Sequence, residues 1–338
     1  MIYKRVIAAQ PKALTHTIAT LGDQLSGFDP QPLRNRPIGV AGIGASHEAA
    51  VVISGEMRRR GLSASAMRCS DLLAQGTDQG AYVLISVSGR SMEPLTILRN
   101  NPGNHFVSLT KTADNPMTRA VGAALSYDSG EDSTPSASGY TGSLIAGGML
   151  TDTLDGNRET DWARLPADIQ SVLDTVNARA DDLAAFFANR HAIDCVGAVS
   201  AYGTACEAAL LLREAVRLPA WGFDTLHYLH GPMEAMDART GIVLHGAGRE
   251  VKIATDMAAT GCPVLLITTA DVAEAQNLRV IRIPEWTNQI AQGVLDILPM
   301  QVLSARMSDL AGLTDVKFRY RQTDTKAPLP EDSTLKSA

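Results

Sequence analysis

The chain has 338 residues, a formal net charge of −6, 45% hydrophobic and 20% charged residues. These figures suit roughly two globular domains and exclude a disordered or collagen-like chain. With 36 acidic residues against 30 basic ones there is no basic block, so a nucleic-acid footprint is not expected. No apolar run is long enough to span a bilayer, and residues 1–11 lack the apolar stretch of a signal peptide. Four scattered cysteines (Cys69, Cys195, Cys206, Cys262) show neither metal nor disulfide spacing, so a cytoplasmic protein with reduced thiols is expected.

In chain order, Ala13–Leu25 shows helical periodicity closed by Gly27 and Pro30. Pro37–Ile43 predicts a buried strand, then a helix over about Ser46–Arg60, strands over Ala81–Val87 and His105–Thr110, and a strand between Ala120 and Tyr127. Pro94–Arg99 predicts a helix start, with proline in the first turn. The segment 152–188 reads as a polar loop followed by an amphipathic helix connecting two halves. The pattern then repeats: strand Asp194–Val199, helix Thr204–Val216, strand Gly241–His245, helix Val251–Thr260, and strands Val264–Thr268 and Val280–Ile283. Strands alternating with helices predict α/β architecture with parallel sheets. The segment after Gln322 is polar and proline-containing and reads as a disordered tail.

Two strand–helix turns bear on chemistry. Gly42-Ile43-Gly44-Ala45-Ser46-His47 resembles a dinucleotide fingerprint, but the third glycine is replaced by His47, which weakens a nicotinamide reading and leaves a plain tight turn as the alternative. Ser86-Val87-Ser88-Gly89-Arg90-Ser91 follows a buried strand and precedes a helix. Three hydroxyls and free backbone N–H groups at a helix N-terminus can hold a phosphate without lysine. A Ser-rich capping loop is the competing reading, because serine favours N-caps in any case.

The Ser-x-Ser-Gly-x-Ser loop resembles the phosphate loop of sugar isomerase (SIS) domains, and nearly the whole chain resembles the isomerase half of glucosamine-6-phosphate synthase and its stand-alone relatives. Gln10-Pro11, the Gly42–Ser46 turn, the Ser/Thr-rich segment Glu131–Leu144, the helix Glu207–Glu214 and Leu229-His230-Gly231-Pro232 match that family in order. The resemblance implies two SIS domains, each a five-stranded parallel sheet flanked by helices in a flavodoxin-like three-layer sandwich. It divides the chain into a helical lead (1–33), a first domain (34–155), a linker helix (156–189), a second domain (190–321) and a tail (322–338).

It also implies a substrate and roles. Phosphosugar or amino-sugar phosphate would bind at Gly44, Ala45, Ser46, Ser86, Val87, Ser88, Ser91 and Ser136. Glu214 would be the base that shuttles a proton between C1 and C2, and Glu207 a supporting carboxylate; they lie seven residues apart, on about the same helix face. A solvated helix face is the bland reading of the same two glutamates. His230 would open the sugar ring, supplied to the partner's site in a homodimer, and histidine titrates near neutrality. His227 and His230 could share a metal, but no third ligand has suitable spacing, so no metal and no cofactor are expected.

Departures from the family are specific. Leu211 stands where a helix lysine is expected, Arg90 replaces an acidic loop residue, and His227 occupies a glutamate position. Lys326, then Lys317, are the nearest candidates for a Schiff-base lysine. A glutaminase domain with an N-terminal cysteine nucleophile has no counterpart in this sequence. The sequence therefore points to an aldose–ketose isomerase or deaminase without glutamine amidotransfer, with a deglycase or a non-catalytic sugar-phosphate sensor as alternatives.

Overall fold

The computed structural model describes residues 1–77, 80–157, 159–313, 318–320 and 322–328. The described chain forms two five-stranded, all-parallel sheets flanked by helices. The first contains β1 (Ile38–Gly42), β2 (Ala64–Arg68), β3 (Ala81–Ile85), β4 (His105–Thr110) and β5 (Ala123–Ser126), in spatial order β2-β1-β3-β4-β5. The second contains β6 (Ile193–Gly197), β7 (Ala220–Asp224), β8 (Gly241–His245), β9 (Val264–Thr268) and β10 (Leu278–Arg282), in order β10-β9-β8-β6-β7. Counted within each sheet, both orders are 2-1-3-4-5. In such sheets ligands bind beyond the carboxyl ends of the strands where the order reverses, here between β1 and β3 and between β6 and β8.

The helices are α1 (Ile2–Ser26), α2 (Ala45–Arg59), α3 (Cys69–Gln75), α4 (Met92–Asn100), α5 (Pro116–Ala120), α6 (Ser138–Asp155), α7 (Leu165–Asn177), α8 (Ala180–Phe186), α9 (Ser200–Leu211), α10 (Thr225–Tyr228), α11 (Arg249–Ala259) and α12 (Gln289–Leu310). α2, α6, α9 and α12 pack between the sheets, and one continuous apolar core runs from Val40 and Val83 through Ile53 and Leu144 to Ala205, Val243 and Leu298.

β2, α6, β7 and α12 escape the sequence patterns for physical reasons. β2 and β7 lie next to β1 and β6 as edge strands, and each buries only its first residue fully, so neither shows an apolar run. α6 and α12 are buried almost all round, which removes helical periodicity. The Ser/Thr-rich segment 131–144 thus becomes helix from Ser138 onward. Its small residues permit close approach: a Cβ at Gly147 would collide with Ile53, and one at Gly148 with Trp162.

α1 begins at Ile2, well before the predicted periodic stretch, and passes through Pro11. Proline cannot donate to the carbonyl four residues back. The side chain of Gln10 donates instead to that carbonyl, Ile7 O, at 3.4 Å. The same amide donates to Gln301 Oε1 at 2.7 Å, and its oxygen accepts from Thr141 Oγ1 at 2.7 Å. Gln10 is fully buried, so this clasp ties α1 to α6 and α12.

α2 and α9 cross antiparallel at glycines. A Cβ at Gly203 would lie 2.6 Å from Glu48 O, and one at Gly55 would lie 2.7 Å from Ser200 Oγ. Gly203→Val is therefore expected to lower the unfolding free energy by about 1–3 kcal/mol. Gly22→Ala, on α1 with open space around it, should raise it by about 0.5–1 kcal/mol. Denaturant titrations of the two variants, run side by side, check the contrast.

Candidate functional site

The antiparallel crossing decides what meets what. Glu48 in the first turn of α2 lies opposite Cys206, whose thiol bonds its carboxylate. Continuing along α9 past Cys206 therefore leads over the N-terminus of α2, toward the carboxyl edge of the first sheet. That edge carries the two loops at the strand-order reversal. The end of α9 thus approaches the Ser-rich loop although the two are far apart in sequence.

The turn after β1 is set by Gly42 and Gly44. A Cβ at Gly42 would press on Ser46 at 2.7 Å, so glycine permits the close turn. Gly44 has φ 57°, a conformation that favours glycine. Ala45 then opens α2 and Ser46 lies buried in its first turn.

The turn after β3 folds on itself. Gly89 N donates to Ser86 O at 3.0 Å, Arg90 N donates to Ser88 Oγ at 3.3 Å, and the hydroxyls of Ser86 and Ser91 are 3.2 Å apart. Gly89 has φ 60°, and a Cβ there would strike the side chain of Asn115. Ser91 is the N-cap residue of α4, and its hydroxyl caps no backbone N–H of that helix. Val87 is half-buried and accepts Lys111 N through its carbonyl.

Ser136 belongs to the same place. A Cβ at Gly139 would lie 2.6 Å from Ser136 Oγ and 2.8 Å from Val87 Cγ1, so segment 136–139 lies against the loop. Asp132, which sequence patterns did not single out, orients it: Ser136 Oγ donates to Asp132 Oδ2 at 2.7 Å, and Ala137 N donates to Oδ1 at 2.9 Å. The short Asp132-to-Ser136 spacing, typical of a carboxylate closing a local turn, was the available signal.

Glu207 is fully buried on α9, and its Oε2 accepts no hydrogen bond among the described residues. Burial, then the carboxylates of Glu214, Glu48 and Asp132, push its pKa well above the ordinary carboxylate range. The influence of Asp132 links this helix to the Ser136 turn of the other sheet. Glu214 lies in a π-helical turn, Leu212–Val216, that extends α9. Such turns often mark functional positions. Burial pushes Glu214 up to about 7, and burial likewise pushes Glu48 up to about 7. These values suit groups that exchange protons near neutrality. Tyr3 of α1 lies among the same carboxylates and bonds Ser304 Oγ at 3.1 Å.

Other predicted residues fall elsewhere. His227 and His230 are exposed around α10, at the carboxyl edge of the second sheet. Glu214 precedes β7, at the opposite edge, so one chain does not bring His230 to Glu214. Among the described residues no three His, Cys, Asp or Glu side chains group as a metal site. Leu211 is buried in the apolar core.

Lys326 is exposed and pairs in an antiparallel bridge with Ser91. Met92 N donates to Thr325 O at 3.1 Å, Ala327 N donates to Arg90 O at 2.8 Å, and Arg90 Nε donates to Ala327 O at 2.7 Å. The segment expected to be disordered is thus docked on the Ser loop over residues 325–327, and Arg90 holds it there. Lys317 and residues 329–338 lie outside the described residues.

No protein-family model matches the chain. It is 25% identical over 309 residues to glutamine–fructose-6-phosphate aminotransferase [isomerizing] 2 of Mus musculus and of Homo sapiens, covering 84% of this chain and 45% of each of those proteins. It is 24% identical over 257 residues to the Pseudomonas putida aminotransferase, covering 70% of this chain and 42% of that protein. The chain thus spans less than half the length of these curated relatives. Among solved structures, the C-terminal domain of glucosamine-fructose-6-phosphate aminotransferase from Francisella tularensis superposes with a TM-score of 0.80 at 19% identity, covering 93% of this chain and 97% of that one. Tagatose-6-phosphate ketose/aldose isomerase from Escherichia coli gives 0.80 at 17% identity over 95% and 96% of the two chains. Glucosamine-6-phosphate deaminase from Thermotoga maritima gives 0.74 at 18% identity over 92% and 97%. The fold is shared with all three. In sequence over most of its length and in its paired five-stranded parallel sheets, this chain is similar to the sugar isomerase (SIS) domains of these aminotransferases.

Proposed function

We propose that this protein moves a proton between C1 and C2 of a phosphorylated sugar or amino sugar, as an aldose–ketose isomerase or a deaminase. One observation carries the reading. A carboxylate that burial pushes up to about 7, Glu214, stands at the end of the helix that crosses α2, whose N-terminus lies at the same sheet edge as the Ser-rich loop. The relatives whose names describe sugar-phosphate isomerases and deaminases support it. We take each sheet with its helices as one SIS domain.

In this reading the phosphate binds the hydroxyls of Ser46, Ser86, Ser88, Ser91 and Ser136, with backbone N–H groups at the starts of α2 and α4. The helix dipoles favour the anion, so no lysine is required. Gly44, Ala45 and Val87 let the backbone approach it. Glu214, ionised, removes the proton from one of the two carbons. An enediol or enolamine forms, and protonated Glu214 returns the proton to the neighbouring carbon, so no external acid is consumed. Glu207 supports it as a neutral carboxyl group. His230 of a second copy opens the ring by moving the proton of the anomeric hydroxyl to the ring oxygen. The exposure of His230 at the far sheet edge supports a shared site in a homodimer. Lys326, beside Ser91, is the described lysine placed for a Schiff base with the open sugar. Four free cysteines support a cytoplasmic setting.

A second reading follows from Leu211. The resembled family has a lysine there, and this chain has a buried leucine. A sugar-phosphate sensor without turnover would tolerate that change.

Incubation with fructose 6-phosphate and glucosamine 6-phosphate in deuterated water separates the two. Exchange at C1 or C2 is expected, and Glu214→Gln should cut its rate by about 10²–10⁴-fold. Binding of every sugar phosphate tried, with no exchange and no ammonia, selects the sensor. Because Glu214 must be ionised, the rate should rise with pH through about 7, and at pH 5 it should be about one-hundredth of the plateau.

Glu207 is an acid whose pKa the fold raises, so above the ordinary carboxylate range the folded chain binds more protons than the unfolded one. Its contribution is fully present at low pH and drains away as pH rises. Glu207→Gln should therefore be more stabilising at pH 8 than at pH 5. Thermal unfolding of both proteins at the two pH values measures the difference. For the shared site, mixing inactive His230→Ala with inactive Glu214→Gln under subunit exchange should restore about a quarter of the activity, since random pairing leaves one intact site in half of the dimers. No recovery, or a strictly monomeric mass, would remove His230 from the site.

A further inference from the structure

The second sheet has its own loop at the place of the Ser loop. Each sheet turns into a helix after its third strand in chain order: β3 leads through residues 86–91 into α4, and β8 leads through Gly246-Ala247-Gly248 into α11. The second loop has no hydroxyl group. A carboxylate lies on it instead. Glu250, in the first turn of α11, folds back so that Gly248 N donates to its Oε2 at 3.3 Å, and a Cβ at Gly246 would lie 2.6 Å from the same oxygen. Gly246 has φ 147°, so conformation and close approach both select glycine there. The start of a helix attracts an anion, and here the chain supplies its own. Glu93 holds the same place in α4, yet its Oε2 accepts no hydrogen bond among the described residues.

Glu250 is only 5% exposed. His245, at the end of β8, is fully buried, and burial pushes its pKa down to about 3, so it stays neutral and offers the carboxylate no charge. The other oxygen of Glu250 is bound from a different element: Thr225 Oγ1 donates to Oε1 at 2.5 Å. Thr225 is itself buried and opens α10. Local contacts make residues 224–230 one stiff piece. Asp224 accepts from Leu226 N and His227 N, Tyr228 is fully buried against Phe223, and His230 N donates to His227 O at 3.0 Å. A carboxylate in the loop after β8 thus grips one end of the piece whose other end is His230.

We propose that Glu250 is a built-in anion that fills the loop of the second sheet and, through Thr225, positions the turn that carries His230. Its value to catalysis rests on the part given to His230 above; the filling of the loop does not. The same two oxygens bar a phosphate from solution, so the sheets differ in kind: one loop is open to an outside anion, and the other is closed by the chain itself.

Formate, a carboxylate without a side chain, tests this on the full chain. Glu250→Ala should unfold at a lower temperature than the unaltered protein, and formate should recover about half of the loss or more, where chloride at the same concentration does not. The unaltered protein, heated in the same two salts, corrects for formate bound elsewhere. In nuclear magnetic resonance spectra the His230 imidazole signal, identified by its loss in His230→Ala, should move in Glu250→Ala and return with formate. In Thr225→Val the loop stays filled but the link is cut, so the signal should move and formate should not return it. A His230 signal unchanged in both variants overturns the inference, as does formate acting no better than chloride. Subunit mixing adds a reading that mere loss of stability would not give: Glu250→Ala should regain activity with Glu214→Gln and not with His230→Ala, and the reverse pattern overturns the positioning role. Failure of the proton-transfer reading looks different. No protein in the set would then turn over a sugar phosphate, while the formate rescue and the moving His230 signal remained.

Discussion

Everything that makes this molecule a candidate catalyst depends on the antiparallel contact of α2 with α9. Gly55 and Gly203 remove the side chains that would hold the two helices apart, and backbone meets backbone where Gly203 faces Glu48. That crossing carries the end of α9 across the boundary between the sheets. Without it, Glu207 and Glu214 would stay with the other half of the molecule. In the proposed reading the two halves supply different chemistry: hydroxyl and amide donors for an anion from the first, the carboxyl groups of Glu207 and Glu214 from the second.

The carboxylates show the cost of that arrangement. Glu48, Glu207, Glu214 and Asp132 come from α2, from α9 with its π-helical extension, and from a turn, and the first three are driven toward their neutral forms by burial. A fold optimised only for stability would not place acids there. The surrounding glycine contacts, the Gln10 clasp and the apolar core offset the penalty, so the strain sits at the site and the compensation sits in the scaffold.

Much of this was legible in the sequence, and the parts that were not share a cause. The buried central strands, for example Ala81–Ile85 and Val264–Thr268, announce themselves as apolar runs because both their faces are covered. The edge strands β2 and β7 do not, because burial of one end is too little to select an apolar pattern. Helices α6 and α12 were hidden for the opposite reason, being covered on every side. Ser86, Ser88, Ser91, Glu207 and Glu214 stood out through local pattern and family resemblance. Asp132 and Glu48 did not, because their importance comes from what α9 brings to them. Docking of residues 325–327 could not be read either, since a polar stretch looks unstructured until its partner, the backbone of residues 90–92, is known.

That last contact has a consequence for how the molecule comes into being. Arg90 and Ala327 are 237 positions apart, yet they exchange hydrogen bonds beside the proposed anion loop. α1 and α12 are in contact as well, so early and late parts of the chain close on each other. Contacts this distant in sequence form late, after the entropy of a very long loop has been overcome. A chain still emerging from the ribosome can fold the first sheet, but its Ser loop stays unstrapped until residues 325–327 have been made. The order of synthesis thus doubles as a safeguard, withholding the strapped loop from any product that stops short of residue 325.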